Sequence, residues 1–311
     1  MIRGQTWKVD SSDAGSRLDL FVLKRVPSST RSLAEEAVAQ GVILLNGRRS
    51  VKGVRLQAGD EVRVEELFEK SDLVVMPDPF VTLSIIHEDD AMVVFDKPSG
   101  MPVHPLKPGE KGTLANGMVA RYPDLARIGD DLLFPALIHR IDTDTSGLVI
   151  AARSAEVYAF LREEFRARRV RKEYTALVCG VVREAGRLEH FLAHRRGEGH
   201  HMVVVEPGER AEKLKTMRAV TEYAVKQSFA AHTLLDVLIH TGVTHQIRCQ
   251  LAAAGWPIVG DALYGAGHAE LGLTRQFLHA SGMVLKHPAG QETRFESPLP
   301  QDLRAALALL A

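Results

Sequence analysis

Residues 139–147, HRIDTDTSG, place two carboxylates (Asp142 and Asp144), an imidazole (His139) and a guanidinium (Arg140) close together near the middle of the chain. A carboxylate such as Asp142 can act as a nucleophile or a general base. Carboxylates with imidazoles can also ligate a metal, here Asp142, Asp144 and His139 with His240 or His245. That reading has to bring both aspartates of one turn to a common centre beside Arg140 and Arg248, which repel a cation. A second reactive stretch is THQIR, residues 244–248. Thr244 is the expected cap of a helix that Gly255 ends. Arg248 falls in its first turn, where a cation opposes the helix dipole. A carboxylate such as Asp142 would compensate it.

These residues need elements to hold them. The apolar runs 132–138 and 148–152 read as buried strands flanking the polar loop. Ser154 can cap a helix running to about residue 168, with Val157, Phe160, Leu161 and Phe165 as its core stripe. The basic run that follows (Arg166, Arg168, Arg169, Arg171, Lys172) exceeds what a helix end requires and reads as a phosphate-facing patch. Residues 172–180 read as a strand with Tyr174, Ala176 and Val178 on one face. Tyr174 there is core, or a ring that stacks on a base. Residues 83–86 and 92–95 are strand candidates, and 96–105 is a proline-shaped loop carrying Lys97 and His104. The stretch 186–215 reads as a mobile loop whose histidines match no ligand spacing. Residues 216–226 and 229–240 read as a hairpin, 257–265 as a loop, 277–285 as a strand and 302–310 as a helix. The fold class is therefore α+β, with a largely antiparallel mixed sheet flanked by helices.

The first 66 residues read as a separate small α/β module. Its pattern is helix, helix capped by Thr30 and ended by Gly41, short strand, Asn46-Gly47 turn and strand 61–64. Residues 67–82, with Met76-Pro77-Asp78-Pro79, read as a linker, and 83–311 as the main domain.

Lysines plus arginines equal aspartates plus glutamates at 39 each, so the chain is no strongly basic binder overall. Phosphate binding needs only a local basic surface. No apolar run approaches the roughly 20 residues that span a bilayer. The first residues lack the apolar core of a secretory signal. The two cysteines, Cys179 and Cys249, form no C-x-x-C pair. A monomer in the reducing cytoplasm, with no membrane partner and no metal, is expected.

The N-terminal module closely resembles the S-four RNA-binding domain, through Arg17-Leu18-Asp19, Arg31, GVILLNG (41–47) and LQAGDEVRV (56–64). That resemblance implies RNA contacts by Arg31, Arg48 and Arg49, with Lys52 beside them. HRIDTDTSG resembles the signature of the RluA-type pseudouridine synthases. DKPSGMPVHP, KEYTALVCG, THQIR followed by LAAAGWPIVGDALYG, and FLHA occur in that family's order. The resemblance implies an isomerase that converts uridine to pseudouridine within RNA, without cofactor. Ribosomal RNA is the implied substrate, with transfer RNA as the second class. It implies Asp142 as the catalytic aspartate and Arg140 as the side chain entering the RNA helix where the base leaves. Tyr174 would pack on the base and accept a proton from it. Arg248 would pair with the catalytic carboxylate, and Ile247 and Leu278 would line the pocket. Arg168 and Arg169 belong to the phosphate-facing patch. Two departures, Val243 for a basic residue and Gln250 for histidine, bear on substrate contacts near that helix. The competing reading is a non-catalytic RNA-binding ribosome assembly factor.

Overall fold

The computed structural model describes residues 1–195, 201–205, 215–265 and 271–310. Its contacts divide the chain into two units: Met1–Met76 with Pro105–Glu110, and Pro77–His104 with Lys111–Ala311.

The smaller unit packs two helices, α1 (Leu18–Arg25) and α2 (Arg31–Gln40), on a four-stranded sheet. The strands are β1 (Ile2–Lys8), β2 (Ile43–Leu45), β3 (Arg48–Arg49) and β4 (Glu61–Leu67), in the order β1-β4-β2-β3. Leu18, Phe21 and Val22 of α1 meet Ala34 and Val38 of α2 over Ile43, Val62 and Val64. The α2 boundaries follow the sequence signals. Thr30 Oγ1 accepts the Leu33 N–H at 3.2 Å, and Gly41 closes the helix at φ 77°. Asn46 and Gly47 both have positive φ, as a tight β2–β3 turn requires. Buried Asp19 receives a two-pronged bond from Arg17, 2.9 Å on each oxygen, which neutralises a carboxylate inside the core. Strand β1, which pairs with β4, had no clear signal because its residues are mostly exposed and polar.

The larger unit is a mixed sheet with helices. Its strands are β5 (Ile85–Glu88), β6 (Met92–Lys97), β7 (Ser146–Ala152), β8 (Arg171–Cys179), β9 (Gly186–His194), β10 (Met202–Val205), β11 (Met217–Ser228), β12 (His232–Ile239), β13 (Leu278–Lys286) and β14 (Glu292–Glu296). They run in the order β10-β9-β11-β12-β8-β13-β7-β6-β5, with β14 on β13. All pairings are antiparallel except β7 with β13. The helices are α3 (Leu114–Arg121), α4 (Ala155–Arg166), α5 (Gln246–Ala253) and α6 (Gln301–Ala308). Ser154 caps α4 through the Val157 N–H, and Leu161 goes to a core with Met92, Val94, Leu148, Ile150 and Met283. This is the α+β class expected.

Three expectations need correction. Residues 132–138 are not a strand. They make one isolated bridge, Leu137 to Ala151, because Pro135 has no N–H and Ala136 turns to φ 56°. Residues 186–194 and 202–205 are strands, not loop. Outward Arg187, Glu189 and Phe191 alternate with Leu188, His190 and Leu192, and the outward charges masked a half-buried ladder on β11. The rest of that loop expectation, residues 196–200 (with His200) and 206–214, lies outside the described residues. Finally, α5 is capped at His245, not at Thr244.

Candidate active site

The loop 139–147 is held by donors that are themselves buried. Lys97, at the end of β6, has no exposed surface, and its Nζ gives its three hydrogens to backbone carbonyls. They go to Pro98 (2.7 Å), Met101 (2.8 Å) and Thr143 (2.8 Å), tying the proline loop to the centre of HRIDTDTSG. Burial pulls the Lys97 ammonium down to about 7, against the opposing charges of Asp144 and Asp142. Arg275 donates to the Asp144 carbonyl at 3.2 Å, and Gln276 Nε2 to Thr145 Oγ1 at 3.2 Å. His279 Nδ1 meets Ser146 Oγ at 2.9 Å. The loop then enters β7 at Gly147, which has φ 114°. A Cβ there would overlap the Ala280 carbonyl of parallel β13, so only glycine fits.

Asp142 meets Arg248 as the helix argument required. Arg248 Nη1 lies 3.0 Å from Asp142 Oδ2. Its other edge makes a fork on Asp261, Nε to Oδ2 at 2.7 Å and Nη2 to Oδ1 at 2.9 Å. Burial by itself would lower the Arg248 pKa. The Asp261 bonds and charge outweigh it and hold the guanidinium firmly protonated. Burial likewise pushes Asp261 up, and Arg248 with the Tyr264 and Leu263 N–H groups brings it below its ordinary value. Arg248 is thus fixed on a buried carboxylate and offers its free edge to Asp142, which is the more exposed of the two.

A cavity of about 120 Å³ opens over this pair, lined by Arg140, Asp142, Tyr174, Ile247, Arg248 and Leu278. All six residues expected in the main domain's pocket therefore converge. Burial, with a contribution from the Asp142 charge, raises the Tyr174 hydroxyl above its ordinary value. Tyr174 enters any reaction as a neutral phenol. His139 faces away from this chemistry. Its ring stacks on Phe165, its Nε2 accepts the Ile150 N–H at 3.3 Å, and desolvation holds it neutral with a pKa near 3. With that lone pair spent and Asp142 bound to Arg248, the metal-ligand reading loses two of its donors. Among the described residues no cluster of three His, Cys, Asp or Glu side chains has ligand geometry.

The pattern of the RNA pseudouridylate synthase family matches residues 91–253, and that of the S4 domain matches residues 16–62. The chain belongs to the RluA-type RNA pseudouridine synthases. It is 38% identical to an RNA pseudouridine synthase of Chloroflexus aurantiacus described as uncharacterized, over 97% of this chain and 92% of that protein. It is 33% identical to ribosomal large subunit pseudouridine synthase D of Xanthomonas campestris, over 97% and 91%. Among solved structures it resembles human RNA pseudouridylate synthase domain containing 4, with a TM-score of 0.58 and 26% identity over 73% of this chain and 92% of that one. The synthase is an isomerase, and RNA is its substrate.

The basic residues are sorted by their partners. A cavity of about 710 Å³ shares Arg140 and Tyr174 with the smaller one and is also lined by Arg162, Arg168 and Lys172. Lys172 Nζ donates to the Thr241 carbonyl at 2.8 Å, and burial, with the nearby Arg168 charge, lowers it to about 8. Arg169 is bound to Glu164 (2.8 Å), Arg166 to Glu163 (2.6 Å) and Arg171 to Glu173 (2.7 Å). In the smaller unit Arg31 pairs with Glu35 at 2.9 Å, while Arg48 and Arg49 on β3 are exposed and have no ion pair among the described residues. Gln250 is fully buried, its side chain is occupied by Thr221, His190, and the Leu188 and Ala219 carbonyls, and it lines neither cavity. Val243 lines both cavities.

Sequence reasoning missed Asp261, Arg275 and Gln276, and gave Lys97 no role. The available signal for Asp261 was a single acid inside the apolar stretch PIVGDALYG; Lys97 follows the apolar run Met92–Phe95 and Asp96 at the end of its strand.

Proposed function

We propose that the synthase converts specific uridines of ribosomal RNA to pseudouridine with Asp142 as the essential residue. The observation that carries this is the relay Asp261–Arg248–Asp142 at the floor of a cavity sized for one base. A base stacked in a helix cannot enter such a cavity, so the target is flipped out at a cost of about a few kcal/mol. Arg140, exposed at the rim, fills the vacancy and offsets part of that cost. Ile247, Leu278 and the Tyr174 ring close on the flat base.

The uracil leaves the sugar carbon with the bonding pair of its nitrogen, rotates, and bonds again through carbon 5. The carbon 5 proton departs and the nitrogen regains one, so atoms and charge balance. Asp142 answers the electron-poor sugar, either by bonding to it until carbon 5 displaces the carboxylate, or by removing its 2′ hydrogen and returning it as carbon 5 bonds. Both roles need one carboxylate oxygen left uncovered, and Arg248 holds only Oδ2. A neutral, buried Tyr174 suits packing on the base better than taking a proton from it.

Ribosomal RNA is favoured by the relatives named ribosomal large subunit pseudouridine synthases. Arg31, Arg48 and Arg49 contact its phosphates from the smaller unit, and Arg168 and Arg169 from the larger. No described helix is long and apolar enough to cross a membrane, and the ribosomal relatives lead us to place the reaction in the cytoplasm. The test compares wild type with Asp142→Asn on unmodified total RNA without added metal, mapping pseudouridine at nucleotide resolution. Wild type modifies defined uridines, and Asp142→Asn loses at least ~10³-fold. Equal modification by both removes Asp142 from the mechanism. Binding without modification by either favours an assembly factor.

A further inference from the structure

Helix α5 begins on a residue in an unfavourable backbone state. His245 has φ 52°, a region that favours glycine, and its side chain makes no capping bond. The imidazole is used elsewhere. Its Nδ1 lies 3.0 Å from the Tyr264 hydroxyl, whose oxygen accepts the Met202 N–H at 2.8 Å. Burial raises Tyr264 to about 12, so the hydroxyl keeps its hydrogen. The neighbour placed to receive that hydrogen is Nδ1. An imidazole that accepts at Nδ1 carries its own proton on Nε2. Nε2 faces Asp142 Oδ2 at 4.0 Å, the same oxygen that Arg248 holds at 3.0 Å. Among the described residues no hydrogen bond reaches Asp142 Oδ1.

We infer that His245 is a positioning residue for the reaction. Tyr264 fixes its tautomer, and its Nε2–H joins Arg248 on Oδ2, so that Oδ1 is the oxygen presented to the sugar. The inference rests on Asp142 being the catalytic carboxylate. A 4.0 Å separation is longer than a hydrogen bond, and such contacts close when substrate fills the site. The left-handed backbone at 245 is what turns the imidazole toward Asp142 instead of toward the helix end.

The experiment measures kcat, RNA affinity and Tm for His245→Gly, His245→Gln, Tyr264→Phe and the pair His245→Gly/Tyr264→Phe, with Asp142→Asn as reference. Glycine accepts φ 52° without strain, so His245→Gly keeps or raises Tm. Its kcat falls ~10- to 100-fold with RNA affinity unchanged, the scale of a misplaced reacting group. His245→Gln, which keeps an N–H donor, recovers part of the loss. Tyr264→Phe falls less, and the double variant is no slower than His245→Gly, because Tyr264 acts through the imidazole. Wild-type kcat in His245→Gly, or losses that multiply in the double variant, overturns the inference. If Asp142→Asn itself stays active, the reading of Asp142 has failed instead, and the two failures are distinguished in one series.

Discussion

The loop 139–147 and the run 166–172 are both crowded with charge, and the structure handles them in opposite ways. In the loop, the carboxylate that matters is reached from far along the chain. Arg248 holds Asp142, Asp261 holds Arg248, and Lys97, Arg275 and Gln276 pin the loop from buried positions. In the run, Arg166, Arg169 and Arg171 are satisfied by glutamates within a few residues, while the guanidinium groups stay in contact with water. Crowding in sequence therefore does not locate the useful field. It is located by charges that burial makes expensive to leave unpaired, and by cations without a local partner.

The sharpest way to break this contrast is to remove one cation from each region. Arg248→Met leaves Asp261 buried without its counter-charge, which costs about 3–5 kcal/mol of stability and abolishes turnover. Arg166→Met removes the partner of an exposed glutamate and leaves the denaturation midpoint nearly unchanged. Urea titrations of both variants give the comparison directly. If the surface pair costs as much as Arg248, burial does not separate the two regions.

This contrast also explains what the sequence revealed. Local features were readable: the Thr30 and Ser154 caps, the Gly41 stop, the β11–β12 hairpin and the shared face of Tyr174, Ala176 and Val178. Arg248 was readable for a different reason. A cation in the first turn of a helix poses an electrostatic problem, and that problem pointed to Asp142. Asp261 was not readable, because its stretch has no period and its partner is identified only by the fold. The strand β9 was hidden by its outward charges, and the cap of α5 by a left-handed histidine that no propensity predicts. The six pocket residues came from family resemblance, and their convergence on one cavity is a property of the fold.

Lys97 offers a second, smaller test, because its effects on stability and activity run in opposite directions with pH. Its folded value, about 7, lies below the unfolded value near ~10.4. Between those values the unfolded chain binds a proton that the native state has released. Stability relative to Lys97→Met therefore rises with pH across that window. The neutral amine has two hydrogens for three carbonyls, so Thr143 is less firmly tied and turnover falls severalfold over the same range. Initial rates and urea midpoints at pH 6.5 and pH 9 test both statements (conditions at roughly either side of the folded value). If Lys97→Met follows the wild-type pH trends, another group is titrating.

The smallest expected effect separates the surface cations from one another. Each phosphate contact adds about 1 to the slope of log affinity against log salt. Arg48 and Arg49 have no ion pair among the described residues, so Arg48→Ala with Arg49→Ala lowers that slope by about 2. Arg166→Ala with Arg169→Ala lowers it by less, because Glu163 and Glu164 already meet those charges and would remain to repel the RNA. The measurement is RNA affinity from low to high salt for both pairs. Equal slopes would mean that the glutamates yield to RNA. Local ion pairs would then be a reserve of phosphate-binding charge, and their partners would no longer separate structural arginines from functional ones.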